Sequence, residues 1–591
     1  MTRNIINAIA AFAAVSSAHA LASCDASLNW RRDTYETHPP TLVAAGMPTN
    51  APVPGLAKGF NGRVAPLERI DAKNALGIDK GKIWRASAWR NERVNGQFVV
   101  WSDEDVRQMR LETCDMVAYD GSRIPSSAIK ARFVRYVLAG FTMKGETINP
   151  PVPVGDILDD AERIDLPAKG FRPVWLTVSV PQDAAPGTYV GRLTVRAAGR
   201  KRIDFTLSLN VLPRTLPAPK DWKFFLDLWQ HPWAVARYHG VKPFSKEHYA
   251  LMRPLWRELA DAGQKAITAT ITDLPWNHQN FDPYWTMVKH VKCADGTWRH
   301  DYSLFDEYVE FCKSCGLGPQ IHCYTMATWG HIVYWTDEST GDTVSAKLVP
   351  GTPEHEEFWG AFLRDFRIHL SAKRWLGDVF VALDERKREE LEATAKLIAK
   401  CAPELRLEMA GNKKPSEFKG ITVDNYCQYI KHITPDYLKE VRETRSGGRF
   451  TSTFYVCCVP ERPNSFVTSP LHEQVWLGLY AAAAHLDGFL RWAYVNWPRD
   501  PMFDTSFGDW RPGDTFFVYP GCRAAVRWET LRDGIEEAEK IRILREEGAA
   551  TPELEKALGA IAAERGINQA EKDCRADVEA VLRAVERASA K

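Results

Sequence analysis

Apolar and polar positions alternate strictly through residues 174–212, VWLTVSVPQDAAPGTYVGRLTVRAAGRKRIDFTLSLNVL. Trp175, Thr177 and Ser179 fall on one face of an extended segment. A Pro186-Gly187 turn follows, and the alternation then resumes in two further segments. A period of two broken by turn residues is the mark of antiparallel strands. The same texture, short strands and turns, runs from about residue 60 to 215 and predicts a β-sandwich. The Pro-rich stretch PRTLPAPKDW (213–222) reads as the joint that ends it.

Beyond the joint the period changes. Eight short apolar runs, at 224–229, 266–271, 319–326, 379–385, 405–412, 421–429, 451–458 and 488–497, are separated by amphipathic helical stretches such as SKEHYALMRPLWRELADAG (245–263). Strand–helix alternation implies parallel strands with helical crossovers, and eight repeats imply a closed (β/α)8 TIM-type barrel. From about residue 524 the pattern is helical to the end. The expected organisation is multidomain α/β: an N-terminal β-sandwich with its leading segment over 21–215, a (β/α)8 barrel over 222–523 and a C-terminal helical segment over 524–591.

Residues 1–20, MTRNIINAIAAFAAVSSAHA, carry a basic start at Arg3, an apolar stretch and the small-residue site Ala18-His19-Ala20. This is an export signal. A lipoprotein signal ending at Ser23 is the alternative, with Cys24 as a lipid anchor. Either way the chain is expected to be exported, to the periplasm or medium or to the cell surface on a lipid, and no later apolar run is long enough to span a bilayer. Among 591 residues the formal net charge is +1, which gives no electrostatic footprint for nucleic acid. Twelve cysteines in a long chain do not make a disulfide scaffold. Cys312 and Cys315 with His322 and Cys323 have metal-like spacing. However, the first two end a helical pattern at Gly316, and the last two would point to opposite faces of a strand, so neither metal nor organic cofactor is expected.

Active sites of such barrels lie at the C-terminal ends of the strands. The fourth run, VFVAL, stops at Asp384 and Glu385, and a charged helix-like stretch follows. Taken locally the pair is helix-capping chemistry, Asp as N-cap and Glu in a first turn. Taken with the barrel, it is a pair of carboxylates at the mouth. Aromatic and polar residues gather at the other strand ends: Trp229 and His231, then Asn277, Tyr324, Tyr426 and Tyr429, and lastly Trp492, Asn496 and Trp497. Indole and phenol at a mouth suit a carbohydrate ligand, and packing at the rim is the plain alternative for each.

Most glycosidases need two carboxylates flanking the scissile bond, about 5–5.5 Å apart for retention and about 6.5–9.5 Å for inversion. The seventh run ends TSTFYVCCVPERP, with Tyr455 and two cysteines where a second carboxylate would be expected. Cys457 and Cys458 fit packing better than a vicinal bridge. Adjacent acids fit another solution, in which a 2-acetamido group on the sugar attacks the anomeric carbon. One acid then protonates the leaving oxygen, and its neighbour orients the amide. Mutual repulsion favours one protonated and one ionised group.

The segments AWRNERVNGQFVVWS (88–102), VPQDAAPGTYVGRLTV (180–195), LDLWQHPWAVARYHGVKPFSKEHY (226–249), LDE (383–385), FYVCCVPERPNSF (454–466), GFLRWAYVNWPRDP (488–501) and RWETLRDGIEEAEK (527–540) together resemble glycoside hydrolase family 123, the exo-acting β-N-acetylgalactosaminidases. The resemblance covers roughly residues 60–545. It implies a substrate-assisted retaining mechanism, with Glu385 as acid/base, Asp384 orienting the acetamido group and a tyrosine on its carbonyl. Tyr455 is the first choice for that tyrosine by strand position, and Tyr426 the second. It also implies a glycan or glycolipid with terminal GalNAc as substrate. Relatives commonly carry Pro after the acid pair, whereas this chain has Arg386. Two alternatives stay open, a glycosidase of other specificity on the same barrel and a non-catalytic glycan-binding surface protein.

Overall fold

The described residues before 216 form two sheets, antiparallel except where Ile203–Thr215 runs parallel to Ile83–Arg90. One sheet orders Asn61–Ala65, Arg93–Ser102, Gly170–Ser179, Ile129–Met143 and Glu146–Asp159. The other orders Ile83–Arg90, Ile203–Thr215, Gly187–Arg196, Val106–Thr113 and Ile164–Leu166. This computed structural model describes residues 58–70, 81–277, 279–418, 421–448, 450–562 and 573–590, so the expected signal over 1–20, the lipoprotein alternative and Cys24 lie outside the described residues. The inner faces meet in a core that includes Phe98, Val174, Leu176, Leu193, Phe205 and Leu207. Trp175 and Thr177, on the other face of Gly170–Ser179, are buried too. The Trp175 indole N–H and the Thr177 hydroxyl both donate to Asn95 Oδ1, at 3.0 and 2.8 Å. That outer face receives the long C-terminal helix Val526–Glu546, whose Glu529 accepts from Arg132 at 2.9 Å.

The eight expected barrel strands are present: β1 Phe225–Leu228, β2 Ala266–Thr270, β3 Gln320–Tyr324, β4 Val379–Leu383, β5 Arg406–Gly411, β6 Asn425–Tyr429, β7 Thr451–Tyr455 and β8 Gly488–Arg491. All pair in parallel, in the order β1-β8-β7-β6-β5-β4-β3-β2. The seam between β1 and β2 closes differently. The Lys265 N–H donates to Leu226 O at 2.9 Å, and beyond it side-chain amides replace the backbone ladder. Gln264 accepts from Leu228 N–H at 2.9 Å and donates to Ala266 O at 2.7 Å, while Gln230 accepts from Thr268 N–H at 2.8 Å. A primary amide carries both donor and acceptor, so it can satisfy the edge groups that a ladder would otherwise satisfy. Gly488 opens β8 because a Cβ there would sit 2.0 Å from Phe225 O.

Two features differ from the sequence expectation. Strand β8 ends at Arg491 rather than near residue 497, because the Arg491 guanidinium turns into a fully buried pair with Asp514 at 2.7 Å. The crossovers after β2 and β3 are not helical throughout. Four short strands, Trp298–Asp301, Lys289–Lys292, Ile332–Asp337 and Thr343–Lys347, form a small sheet over that side of the barrel.

The helix Val526–Glu546 is buried on nearly all sides between sandwich and barrel. Gly534 and Gly478 let it touch the Leu471–Ala484 helix backbone to backbone, since a Cβ on Gly478 would lie 2.2 Å from the Gly534 carbonyl carbon. Its charges are partnered across the domain joint. Asp156 of the sandwich binds Arg527 at 3.0 Å and Arg69 at 2.7 Å, and Glu529 binds Arg93 at 3.1 Å. Removing one partner from such a pair costs about 3–5 kcal/mol, because a charge is left uncompensated. No helix among the described residues is long and apolar enough to cross a membrane.

Candidate active site

Strand β4 is apolar and wholly buried to Leu383, and then the backbone leaves the sheet. The next helix begins only at Arg388, with Lys387 as its N-cap residue, so Asp384 and Glu385 cap nothing. Successive strand residues would face opposite ways, but the pair lies where the strand has already turned, and both carboxylates serve one site. Asp384 Oδ1 accepts from the Glu385 N–H at 2.7 Å, and Oδ2 accepts from the Trp329 indole N–H at 3.0 Å. Across the mouth, the Tyr455 hydroxyl donates to Glu385 Oε1.

These surroundings set the two acids apart. Burial, followed by the charge of Asp384, raises the Glu385 carboxyl to about 7 against the pull of Tyr455 and Lys413. Burial also raises Asp384, where the Glu385 N–H, the Trp329 indole and the Arg386 charge counter it. Glu385 is therefore placed to hold a proton near neutral pH beside the group better equipped to stay ionised. A second nucleophilic carboxylate is not brought to them among the described residues. Glu408 on β5 is the nearest surprise, because its partner across the ladder is Ala382, one layer below Asp384. Burial, with the charges of Asp227 and Asp384, holds it well above the carboxylate range, and its one bond is from Tyr324 at 3.4 Å. Asp514 is taken by Arg491, and Glu461 by Arg511 at 2.9 Å.

The floor beneath the pair is aromatic. Trp229 and Trp276 stack at 4.8 Å, and both lean on Tyr324, at 4.6 and 5.1 Å. His231 stacks on Tyr284 at 3.7 Å, donates to Asp282 O and is pushed down to about 3 by burial, so it is a neutral supporting group. Tyr429 lies half-buried against Tyr455, with ring centroids 5.3 Å apart. Asn277 is exposed on the loop after β2, its amide packed on Gly330, where a Cβ would displace that amide. Trp492 is half-buried, donates to Asp514 at 3.0 Å and stands edge-on to Trp510 at 5.0 Å. The sandwich hairpin supports that wall, since Gly140 N–H and the Thr142 hydroxyl bind Ser506 and Gly508 at 3.0 and 2.9 Å.

Four expected residues have other roles. The Tyr426 hydroxyl binds Lys413 O inside the β5–β6 side, which removes it from contention for an amide carbonyl. Asn496 and Trp497 are fully buried beyond the early end of β8; Asn496 binds Asn280 at 2.8 Å, and Trp497 donates to Val518 O at 2.7 Å. Tyr324 is buried beneath the indoles and does not face the mouth. Cys457 and Cys458 are free thiols 3.9 Å apart. Cys312 and Cys315 close a helix at Gly316, while His322 meets Asp227 inside the barrel at 3.2 Å.

Sequence reasoning missed Trp329, which no strand-end rule finds, because it sits in the turn between β3 and the inserted sheet. Two family models match the chain, the glycoside hydrolase 123 catalytic domain over residues 229–544 and the glycoside hydrolase 123 N-terminal domain over 72–197. The chain belongs to glycoside hydrolase family 123. The family 123 enzyme from Clostridium perfringens, whose structure was reported for glycolipid glycan hydrolysis, superposes with a TM-score of 0.81. It is 23% identical, over 90% of this chain and 98% of that one. A Bacteroides ovatus xyloglucanase of family 5 (TM-score 0.29, 8% identity, 77% and 98% covered) and an Eisenbergiella tayi β-galacturonidase of family 2 (0.29, 12%, 76% and 72%) are more remote. No curated protein matches by sequence. The family 123 catalytic match begins at the residue after β1 and spans the other seven strands, β2 to β8, and the acid pair lies within it.

Proposed function

We propose that this family 123 protein is an exported retaining β-N-acetylgalactosaminidase that uses the substrate's own 2-acetamido group as nucleophile. The observation that carries the reading is the pairing at the end of β4. A carboxyl raised to about 7 sits beside a carboxylate already oriented by an N–H and an indole, with no second nucleophilic carboxylate opposite among the described residues.

In the first step Glu385 donates its proton to the glycosidic oxygen while the acetamido oxygen attacks the anomeric carbon. The leaving alcohol departs, and an oxazolinium-type intermediate forms on the sugar. Asp384 accepts the amide N–H, fixes the acetamido group for attack and offsets the positive charge that develops. Glu385, now ionised, removes a proton from water as the water opens the intermediate from the opposite side. Two inversions give retention. Tyr455 is bonded to Glu385 in the free enzyme and reaches the acetamido carbonyl only by exchanging that partner, and Tyr429 beside it is the other hydroxyl on that wall.

Glycolipid glycan hydrolysis by the Clostridium perfringens enzyme of the same family supports a glycolipid glycan as the substrate class. The test compares nitrophenyl β-GalNAc, β-GlcNAc and β-galactoside, with a GalNAc-derived thiazoline as inhibitor. Hydrolysis of the GalNAc substrate, blocked by the thiazoline, is expected. Cleavage of the plain galactoside with no effect of the thiazoline would exclude assistance by the acetamido group.

A further inference from the structure

We propose that Arg386 is a positioning residue for Asp384, acting through the Trp329 indole; this rests on the function proposed above. Arg386 follows the acid pair directly, and its side chain is not a solvated rim charge. It is one-tenth exposed and paired to Glu390, with Nε at 3.2 Å and a terminal nitrogen at 3.0 Å from Oε2. The same terminal nitrogen lies 3.0 Å from His331 Nε2, which itself stands 3.3 Å from Glu390 Oε2. The guanidinium carbon stands 5.5 Å from the centre of the Trp329 ring. Trp329 in turn donates to Asp384 Oδ2 at 3.0 Å. The chain of contacts therefore runs Glu390 and His331, Arg386, Trp329, Asp384.

Each link has a physical reason. Trp329 and His331 come from one turn after β3, with His331 in the left-handed region at φ 58°. That turn is tied down by Trp329 N–H to Pro275 O at 3.0 Å and Leu348 N–H to His331 O at 2.7 Å. The backbone thus places the indole, and the guanidinium, held over the face of the ring, restrains its plane. A fixed ring plane fixes the N–H, and the N–H fixes the carboxylate about its Cβ–Cγ bond. The remaining lone pairs of Asp384 then face one way, ready for an amide N–H.

The groups that act on Asp384 lie both at the mouth and in the buried layers beneath it. They are Glu385 and Arg386 from its own segment, Trp329 and Trp276 from the loops, Tyr324 from β3, Glu408 from β5, Cys427 from β6 and Tyr455 from β7. Arg386 is the cation among them. It therefore favours the ionised carboxylate by charge as well as by geometry.

The two contributions separate experimentally. Arg386→Lys keeps a charge but loses the planar guanidinium over the Trp329 ring and the fork to Glu390. Arg386→Ala loses both, and Trp329→Phe keeps the ring but loses the donor. On nitrophenyl β-GalNAc, kcat should fall about tenfold or more in all three, with KM changed far less. The acid limb of kcat/KM should move to higher pH in Arg386→Ala and Trp329→Phe and stay near wild type in Arg386→Lys. The unliganded enzyme gives a second readout, the fluorine NMR signal of Trp329 in protein labelled with 5-fluorotryptophan, assigned by its loss in Trp329→Phe. That signal should titrate with Asp384, and its midpoint should rise in Arg386→Ala. An Arg386→Ala enzyme with wild-type kcat and an unmoved acid limb overturns the proposal, as does a Trp329 signal indifferent to Arg386. Failure of wild type to cleave the GalNAc substrate would instead defeat the proposed function, and the fluorine signal would still decide the Arg386–Trp329–Asp384 link.

Discussion

Replacing Glu385 by Gln should stabilise the fold, increasingly so as pH rises. The side chain keeps its size and an oxygen to accept from Tyr455, but it cannot ionise. In the unfolded chain the carboxyl titrates at its ordinary 4.5, and in the folded protein burial and Asp384 raise it to about 7. The folded state therefore binds more protons than the unfolded state between those values, and raising pH across the window destabilises it. The full penalty on the charged form is about 3 kcal/mol, of which about 2.5 kcal/mol accrues between about pH 5 and about pH 8. Urea unfolding of wild type and Glu385→Gln at those two pH values measures it, because groups that do not interact with Glu385 cancel in the difference. The gap between the variants should widen by roughly 2–3 kcal/mol at the higher pH. A gap that stays constant, or narrows, would refute a raised carboxyl at this position and with it the electrostatic basis for a general acid.

Three further outcomes follow from the same contacts. In kcat/KM, which reports the first step, Glu385→Ala should lose about 10²–10⁴-fold on alkyl glycosides yet lose little on a dinitrophenyl substrate, whose leaving group needs no proton; equal losses on both would remove the acid role. Tyr455→Phe removes a donor that holds the Glu385 carboxyl down, so the basic limb of kcat/KM, set near about 7, should shift to higher pH, and a shift to lower pH would contradict the contact. Gly488→Ala drives a methyl to 2.0 Å from the Phe225 carbonyl oxygen and should cost at least about 3 kcal/mol, read as a loss of folded protein or a large drop in Tm.

The architecture was legible because its signals are local. Period-two alternation up to residue 212, eight apolar runs and a Pro-rich joint each survive in the structure near where the sequence puts them. The site was legible only in part. Asp384, Glu385 and Tyr455 end their strands and meet, but Asn496 and Trp497 were assigned by a strand that ends early, at Arg491. That ending depends on Asp514, far along the chain, which no window of β8 contains. Tyr426 is the second residue of β6, which ends at Tyr429, and its hydroxyl is used by the Lys413 carbonyl. Trp329 and the Gln264–Gln230 seam depend on contacts between loops and strands distant in sequence, where residue type alone carries no message.

The helix Val526–Glu546 lies outside the barrel strands, yet it decides what can be separated from what. Its Arg527 and Glu529 find their counter-charges on sandwich residues Asp156, Arg93 and Arg132, and its Glu539 accepts from the N–H groups of Lys223 and Phe224 at the entrance to β1. A barrel cut free before residue 526, or begun after residue 215, would carry stripped carboxylates or guanidinium groups on a newly wetted face. The catalytic unit is thus not a portable cassette with an appended sandwich. Sandwich, barrel and helix hold their charges only together, and any attempt to graft this mouth onto another scaffold has to bring all three.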